Sequence, residues 1–431
     1  MAVHLGRWYG VCVALGCVCL VVLADDTLKR SSTLSWPGFR GPNGTGHAQA
    51  HDLPLEWSET QNVRWKTAIH DLGWSSPVVW GDQIWLTTAT ADGKAMYAVG
   101  VDRQTGQVLH DIKLFDNEQP AFRHASNSYA SCTPAIEAGR VYVHFGSYGT
   151  GCIDSATGAV LWSRRDLPCD HFRGPGSSPL LWQDLLFICF DGFDQQYTVA
   201  LNKRTGATVW RKDRDLDFGT DDGDFKKAYG TPSIVSVKGQ PLLISPGAVA
   251  TMAYEPLTGR EVWRVRHGGF NVASVPQAGQ GLVFLCTGDG GDKLLAVRPD
   301  GQGELKSDAK VWQSNKGVPA RSSPLVVDDL LYMTSDKAVL TCLEARTGKI
   351  VWQHRLEGNT WASPIYADGK IYVCNQEGAT FVLASGRTFR LLATNRLDDG
   401  CNATPAAVGS CLILRTKTHL YCLEKKSASS K

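Results

Sequence analysis

Short apolar stretches alternate with turn residues along most of the chain. Pro324-LVVDDLLYMTS and Pro364-IYADGKIYVCN show the pattern: an apolar run, a polar turn, then a second alternating run. Runs of this length with period-two alternation predict β-strands, not helices. A Ser/Thr-Pro step opens each unit, at Ser76-Pro77, Thr133-Pro134, Ser178-Pro179, Thr231-Pro232, Ser323-Pro324, Ser363-Pro364 and Thr404-Pro405. Val275-Pro276 is a degenerate eighth copy.

A second phrase interleaves with the first. EARTGKIVW (Glu344 to Trp352) recurs as DSATGAVLW (Asp154 to Trp162), NKRTGATVW (Asn202 to Trp210) and EPLTGREVW (Glu255 to Trp263). In DRQTGQVLH, His110 stands where Trp is expected, and the stretch ending at Trp312 keeps only the last residues. The phrase predicts a tight hairpin. Asp or Asn folds onto nearby backbone N–H groups, and Gly106, Gly158, Gly206, Gly259 and Gly348 take a positive φ. A β-branched residue and the Trp then begin the next strand.

Together the phrases predict four strands in each unit of roughly 40 to 50 residues, the size of a propeller blade. Eight Pro steps predict an all-β, eight-bladed propeller of four-stranded antiparallel blades over residues 60–424. The last unit has three strands, ending in His419–Leu423. Asn62–Ile69 carries Trp65 in a Val-x-Trp ending without a turn phrase of its own. Pairing that stretch with Leu420–Leu423 would close the ring and remove two open edges.

The Asp/Asn-x-x-Thr-Gly-x-x-x-Trp phrase resembles the pyrroloquinoline-quinone-type (PQQ-like) propeller repeat family. Quinoprotein dehydrogenases and the propeller lipoprotein of the barrel-assembly machinery belong to it. The resemblance implies that Trp162, Trp210, Trp263, Trp312 and Trp352 pack against the turn of the neighbouring blade. Trp36-Pro-Gly-Phe-Arg-Gly-Pro-Asn-Gly-Thr-Gly46, Asn127–Pro134 and Leu414–Cys422 are similar to a narrower group of secreted bacterial proteins with such repeats.

Residues 1–24 read as an export signal: Arg7, an apolar run from Val11 to Leu23, and a cleavage site after Ala24. Cys17 stands in a weak lipoprotein box, but the apolar run continues past it. The expectation is a periplasmic or extracellular protein with no transmembrane segment in the mature chain. Residues 25–59 are expected to form an extended segment held by Trp36, Phe39 and Trp57, and 425–431 a polar tail. The 44 Lys and Arg against 42 Asp and Glu leave almost no net charge. That argues against a nucleic-acid partner.

Export permits disulfides. Cys189, Cys286, Cys342, Cys374, Cys411 and Cys422 fall within predicted strands and read as buried thiols. Cys132, Cys152, Cys169 and Cys401 lie nearer loops. With Thr416-Lys417 as a two-residue hairpin loop, Cys411 faces Cys422, a possible disulfide.

Candidate chemistry gathers on the loops that lead to the Ser/Thr-Pro steps, and on three long insertions within 115–131, 164–176 and 211–230. His70, Trp74, Arg123, His124, Asn127, Tyr129, His171, Arg173, Asn271, Arg321, Trp361 and Asn402 are placed to ring a central funnel. Cationic, amide and aromatic groups suit a protein segment or a small anionic or sugar-like ligand. The carboxylate-rich insertion Asp213–Asp224 does not follow the twelve-residue calcium loop. Asp191, Asp194, Asp289 and Asp292 read as turn residues.

The family resemblance implies, for its enzymes, a calcium ion and a catalytic Asp over the quinone beside two adjacent cysteines. This chain has no adjacent Cys pair. No serine-nucleophile elbow or phosphate loop occurs either. The expected function is binding or scaffolding in the cell envelope, without catalysis and without a cofactor. The alternatives are a PQQ- and calcium-dependent oxidoreductase of alcohols or sugars, and a carbohydrate-binding or carbohydrate-active propeller using Trp74, Tyr129 and Trp361. The oxidoreductase would bring an Asp together with a Glu or Asn on the funnel floor.

Overall fold

A computed structural model describes residues 1–2, 34–291 and 293–426. The expected export signal and Cys17 lie outside the described residues, as does the tail from 427. No helix among the described residues is long and apolar enough to cross a membrane.

Eight antiparallel sheets form an eight-bladed β-propeller. The first four-stranded blade is Val78–Trp80, Gln83–Ala89, Ala95–Asp102 and Val108–Asp116. Six more follow in the same order, from the inner strands Ala135–Glu137, Leu180–Trp182, Ser233–Val237, Gln277–Gly279, Leu325–Val327 and Ile365–Ala367. Each inner strand begins directly after its Pro. Proline suits the first position of a strand because its missing N–H breaks no ladder there.

The eighth blade is shared between the two ends of the chain. Ala406–Val408, Cys411–Arg415 and His419–Leu423 supply three strands, and Val63–Ala68 pairs antiparallel with His419–Leu423 as the outermost. This closes the ring with strands from both ends.

The hairpin phrase folds as its chemistry dictates. Asp102 accepts from the backbone N–H of Gln104 at 2.9 Å and of Thr105 at 2.7 Å, and Gly106 sits at φ 78. Asp154 and Asn202 repeat the arrangement. Glu255 and Glu344 are longer by one methylene and take the Thr hydroxyl instead, each at 3.0 Å.

The tryptophans join blade to blade. The indole N–H of Trp65, Trp162, Trp210, Trp263, Trp312 and Trp352 donates to a carbonyl in the turn of the next blade, at 2.8–3.0 Å. Gly106, Gly206, Gly259 and Gly348 lie under such rings, where a Cβ would approach ring carbons to 2.6–2.7 Å. At Gly158 the neighbour is the imidazole of His110, the residue in the Trp position.

Three sequence expectations need correction. Arg415 pairs with Leu420 and Ile413 with Cys422, so the tight turn is centred on Lys417-Thr418, one residue beyond the expected loop. Thr416 donates from its N–H to His419 O at 2.8 Å and stabilises that turn. Cys411 is therefore a diagonal neighbour of Cys422 and does not face it, yet the two sulfurs still approach to 3.0 Å. Asp191 is not a turn residue. It ends the strand Leu185–Asp191, fully buried against the guanidinium of Arg214. Cys152 also lies within a strand, and all ten described cysteines are buried.

Candidate functional site

The funnel is built on a ring of hydroxyls. The N–H of Ser76 donates to the side-chain oxygen of Thr133 in the next blade, Thr133 N–H to Ser178, and Ser178 N–H to Thr231. After a gap the ring resumes, from Val275 N–H to Ser323, Ser323 to Ser363, Ser363 to Thr404 and Thr404 back to Ser76. The distances are 2.9–3.0 Å. The link from Thr231 is lacking because Val275 has no hydroxyl. The repeated Ser/Thr is thus an inter-blade connector at the throat of the channel.

Below this ring the N-terminal segment crosses the channel. Ser35–Trp36 pairs with the inner strand of the first blade, and Pro37 O accepts from Ile136 N–H in the second. The fully buried Arg40 then donates to Pro324 O at 2.8 Å and Pro364 O at 3.2 Å. No carboxylate faces it, and burial pushes its pKa down to about 9. On the far side, Tyr366 N–H donates to Gly46 O, and Trp57 N–H to Asn395 Oδ1. The strap floors the funnel with Phe39.

The funnel cavity has a volume of ≈ 220 Å³. It brings together eight of the twelve residues singled out by sequence: Trp74, His124, Asn127, Arg173, Asn271, Arg321, Trp361 and Asn402. Most are held by defined partners. Trp74 donates to Ser126 O, Asn127 Nδ2 to Arg173 O and Pro175 O, and Asn402 Oδ1 accepts from Gln376. Arg321 lies over the Trp361 ring at 4.9 Å and pairs with Asp336. Arg173 pairs with Asp224 at 3.3 Å, which also neutralises Lys227. Burial lowers the Lys227 pKa and Asp224 opposes that shift.

The other four lie elsewhere. His70 sits at the end of the closing strand between Asp71 and Asp111. Burial opposes its charge, but the two carboxylates raise its pKa. Arg123 stacks on Tyr129 at 5.3 Å and donates to Asn127 O, so both support the funnel wall from behind. His171 is buried, accepts from Ser147 N–H at 3.1 Å, and is pushed down to about 4 by burial.

Several contributors were missed from sequence. Phe39 comes from the strap, and Tyr229 ends the third insertion. Asp289, a turn residue by sequence pattern, faces the funnel and accepts from Asn271 Nδ2 at 3.0 Å. Beside the funnel runs a chain of exposed rings. Phe122 (61% exposed) meets Phe172 (37%) at 5.7 Å, and Phe172 meets Phe193 (38%) at 5.4 Å. Phe225 (44%) packs on Phe270 at 4.8 Å, beside Asn271. Scattered over three insertions, one hairpin and one loop between blades, these phenylalanines have no periodicity to mark them.

The Asp213–Asp224 insertion holds no ion-binding arrangement. Asp213 pairs with Arg211, Asp217 accepts from Gly219 N–H, and Asp222 caps the short helix Gly223–Lys226. Calcium takes six to eight oxygens. The funnel offers the Asp289 carboxylate and Asn271 Oδ1, a buried atom without a hydrogen-bond partner. Among the described residues no group of three or more His, Cys, Asp or Glu could hold a metal. The Asn271–Asp289 pair by itself supplies only part of a calcium coordination sphere.

A search of curated proteins finds no match to this chain. Solved structures with the same fold include the quinohemoprotein alcohol dehydrogenase from Comamonas testosteroni. It has a TM-score of 0.66 at 10% identity, covering 94% of this chain and 83% of that one. BamB from Moraxella catarrhalis superposes with a TM-score of 0.53 at 13% identity, covering 78% of this chain and 95% of that one. A europium-containing methanol dehydrogenase gives 0.53 at 12% identity, with 90% and 91% covered. Residues 48–189 and 194–429 match the family model described as outer membrane protein assembly factor BamB, and the chain belongs to that PQQ-like propeller family.

Proposed function

We propose that the protein is a non-catalytic binding propeller of the cell envelope that docks an extended, aromatic- or aliphatic-bearing segment of a partner protein across its funnel face. The observation that carries this reading is the exposed phenylalanine chain beside the funnel. Fully burying such a side chain contributes about 1.5–3 kcal/mol. Exposed aromatics next to a polar, preorganised cavity are what an interface core looks like before its partner arrives. The description of the matching family model, an outer membrane protein assembly factor, supports a binding role in the envelope.

A photo-crosslinker at position 193 is expected to capture one partner in the envelope. Capture should fail with Phe122→Asp or Phe225→Asp, and with the crosslinker moved to position 238 on the opposite face. Capture that is indifferent to all three changes would overturn the reading.

The Asn271–Asp289 pair favours one second reading, a quinone-dependent oxidoreductase. Calorimetric titration with pyrroloquinoline quinone, with and without calcium, separates the two. Saturable, calcium-dependent binding at one site, lost in Asp289→Asn, would replace the scaffold reading.

A further inference from the structure

Four of the ten described thiols share one core cluster, and it lies at the seam where the ring closes. Cys374, Cys401, Cys411 and Cys422 pack there with Trp36, Trp57 and Trp65. They fall into two pairs. Cys411 and Cys422 approach to 3.0 Å within the eighth blade. The side chains of Cys374 and Cys401 are interacting neighbours in that cluster, and the Cys401 thiol also donates to Arg415 O at 2.9 Å and Ala403 O at 3.1 Å. The backbones meet there too: Cys401 N–H donates to Asn375 O at 3.0 Å. Cys374 ends the strand Lys370–Cys374 of the seventh blade, and Cys401 sits in the loop leading into the eighth. No other two described cysteines make such a contact. Cys189, for instance, meets the hydroxyls of Ser245 and Thr198.

We propose that the mature protein carries two disulfides, Cys374–Cys401 and Cys411–Cys422, which staple the last two blades at the closing seam. The proposal rests on the reading that the chain is exported, since an oxidising compartment is where such bonds persist. Each forms by thiol–disulfide exchange with a disulfide-bearing oxidant. Two S–H bonds and the oxidant's S–S bond break, one protein S–S bond forms, and the oxidant leaves as two thiols. Burial shields the native thiols from the oxidant, so exchange takes place during folding, before the seam closes. The first bond ties blade to blade; the second locks the diagonal across the strand pair that receives Val63–Ala68. The first also clamps the backbone beside Asn402, a funnel residue.

The test needs no partner and no export. Purified full-length chain is unfolded in urea, refolded with glutathione disulfide, alkylated under denaturing conditions and mapped by peptide mass spectrometry. The expected result is two linked peptides, each falling apart on reduction, with every other cysteine of the chain alkylated. Cys374→Ala should leave Cys401 alkylated and the Cys411–Cys422 link intact. Reduction should lower the thermal midpoint of the oxidised chain by several degrees, and the Cys374→Ala/Cys401→Ala variant should lose part of that response. Full alkylation of all four thiols, or crossed links such as Cys374–Cys422, would overturn the proposal.

Discussion

At the residue scale, one hydroxyl repeated around the channel does more than begin strands. Each Ser or Thr before Pro accepts the N–H of its counterpart in the preceding blade, and only Val275 interrupts the circle. Val275→Thr is isosteric and supplies the missing acceptor for Thr231. We expect it to raise unfolding stability by about 1 kcal/mol, the net value of one hydrogen bond. Thr404→Val should lower it by a similar or larger amount, read from urea midpoints. The buried His144 and His171 and the half-buried His267 set the pH response. Burial lowers the pKa of His144 to about 3, His171 to about 4 and His267 to about 3. His171 also lowers His144, while Asp170 and Asp194 partly oppose the shift at His171. Lys310, Arg214 and Lys293 add to the shift at His267. The unfolded chain takes up these protons near pH 6.5 and the folded chain does not. Stability should therefore hold above about pH 7 and fall as pH drops toward 4, by up to about 1.4 kcal/mol per pH unit for each histidine. A denaturation midpoint unchanged between pH 7 and pH 5 would refute this account.

At the element scale, the closing strand is the decisive piece. Val63–Ala68 adds the fourth strand to a blade whose other three come from the opposite end of the chain. Trp65 is its anchor: buried, bonded to Arg103 O, with its ring against Gly106 of the first blade. Arg415 spans the same junction, donating to Ser75 and Thr87 from within the eighth blade. Trp65→Ala removes a buried aromatic side chain and its hydrogen bond, so a loss of about 3–5 kcal/mol is expected. The loss should appear in equilibrium unfolding as a lower midpoint. Hydrogen exchange should speed up first in Val63–Ala68 and His419–Leu423, because ring opening begins where no covalent link crosses the seam.

At the scale of the whole molecule, the strap turns a ring with a hole into a cup with a floor. Arg40 holds it with three carbonyl oxygens and no counter-charge. Arg40→Ala leaves Pro324 O and Pro364 O buried and without that donor, at about 1–3 kcal/mol for each unsatisfied group. The expected outcome is a destabilised but folded propeller in which amides of residues 37–46 exchange rapidly. Protection of that segment equal to wild type would show that Trp36 and the backbone bonds suffice to hold the floor.

The sequence by itself determined the blade. Turn, strand length and Trp position are local chemistry: an Asp or Asn folding onto its own backbone, a glycine at positive φ, an alternating apolar run. Repetition then dictated the ring, because eight such units bury their faces only against each other. Four features lay beyond this local logic. Asp191 looked like a turn residue, and its burial against Arg214 depends on a residue more than twenty positions away. Asp289 was hidden in the same manner and became a funnel residue only when Asn271 arrived beside it. The phenylalanines from three insertions, one hairpin and one loop between blades come together beside the funnel because the ring gathers loops from distant stretches onto one face. The strap was visible as an aromatic segment, but its place across the channel was decided by carbonyls on the sixth and seventh blades. Local patterns are read along the chain; a site is an intersection of loops, and only the closed ring brings those loops together.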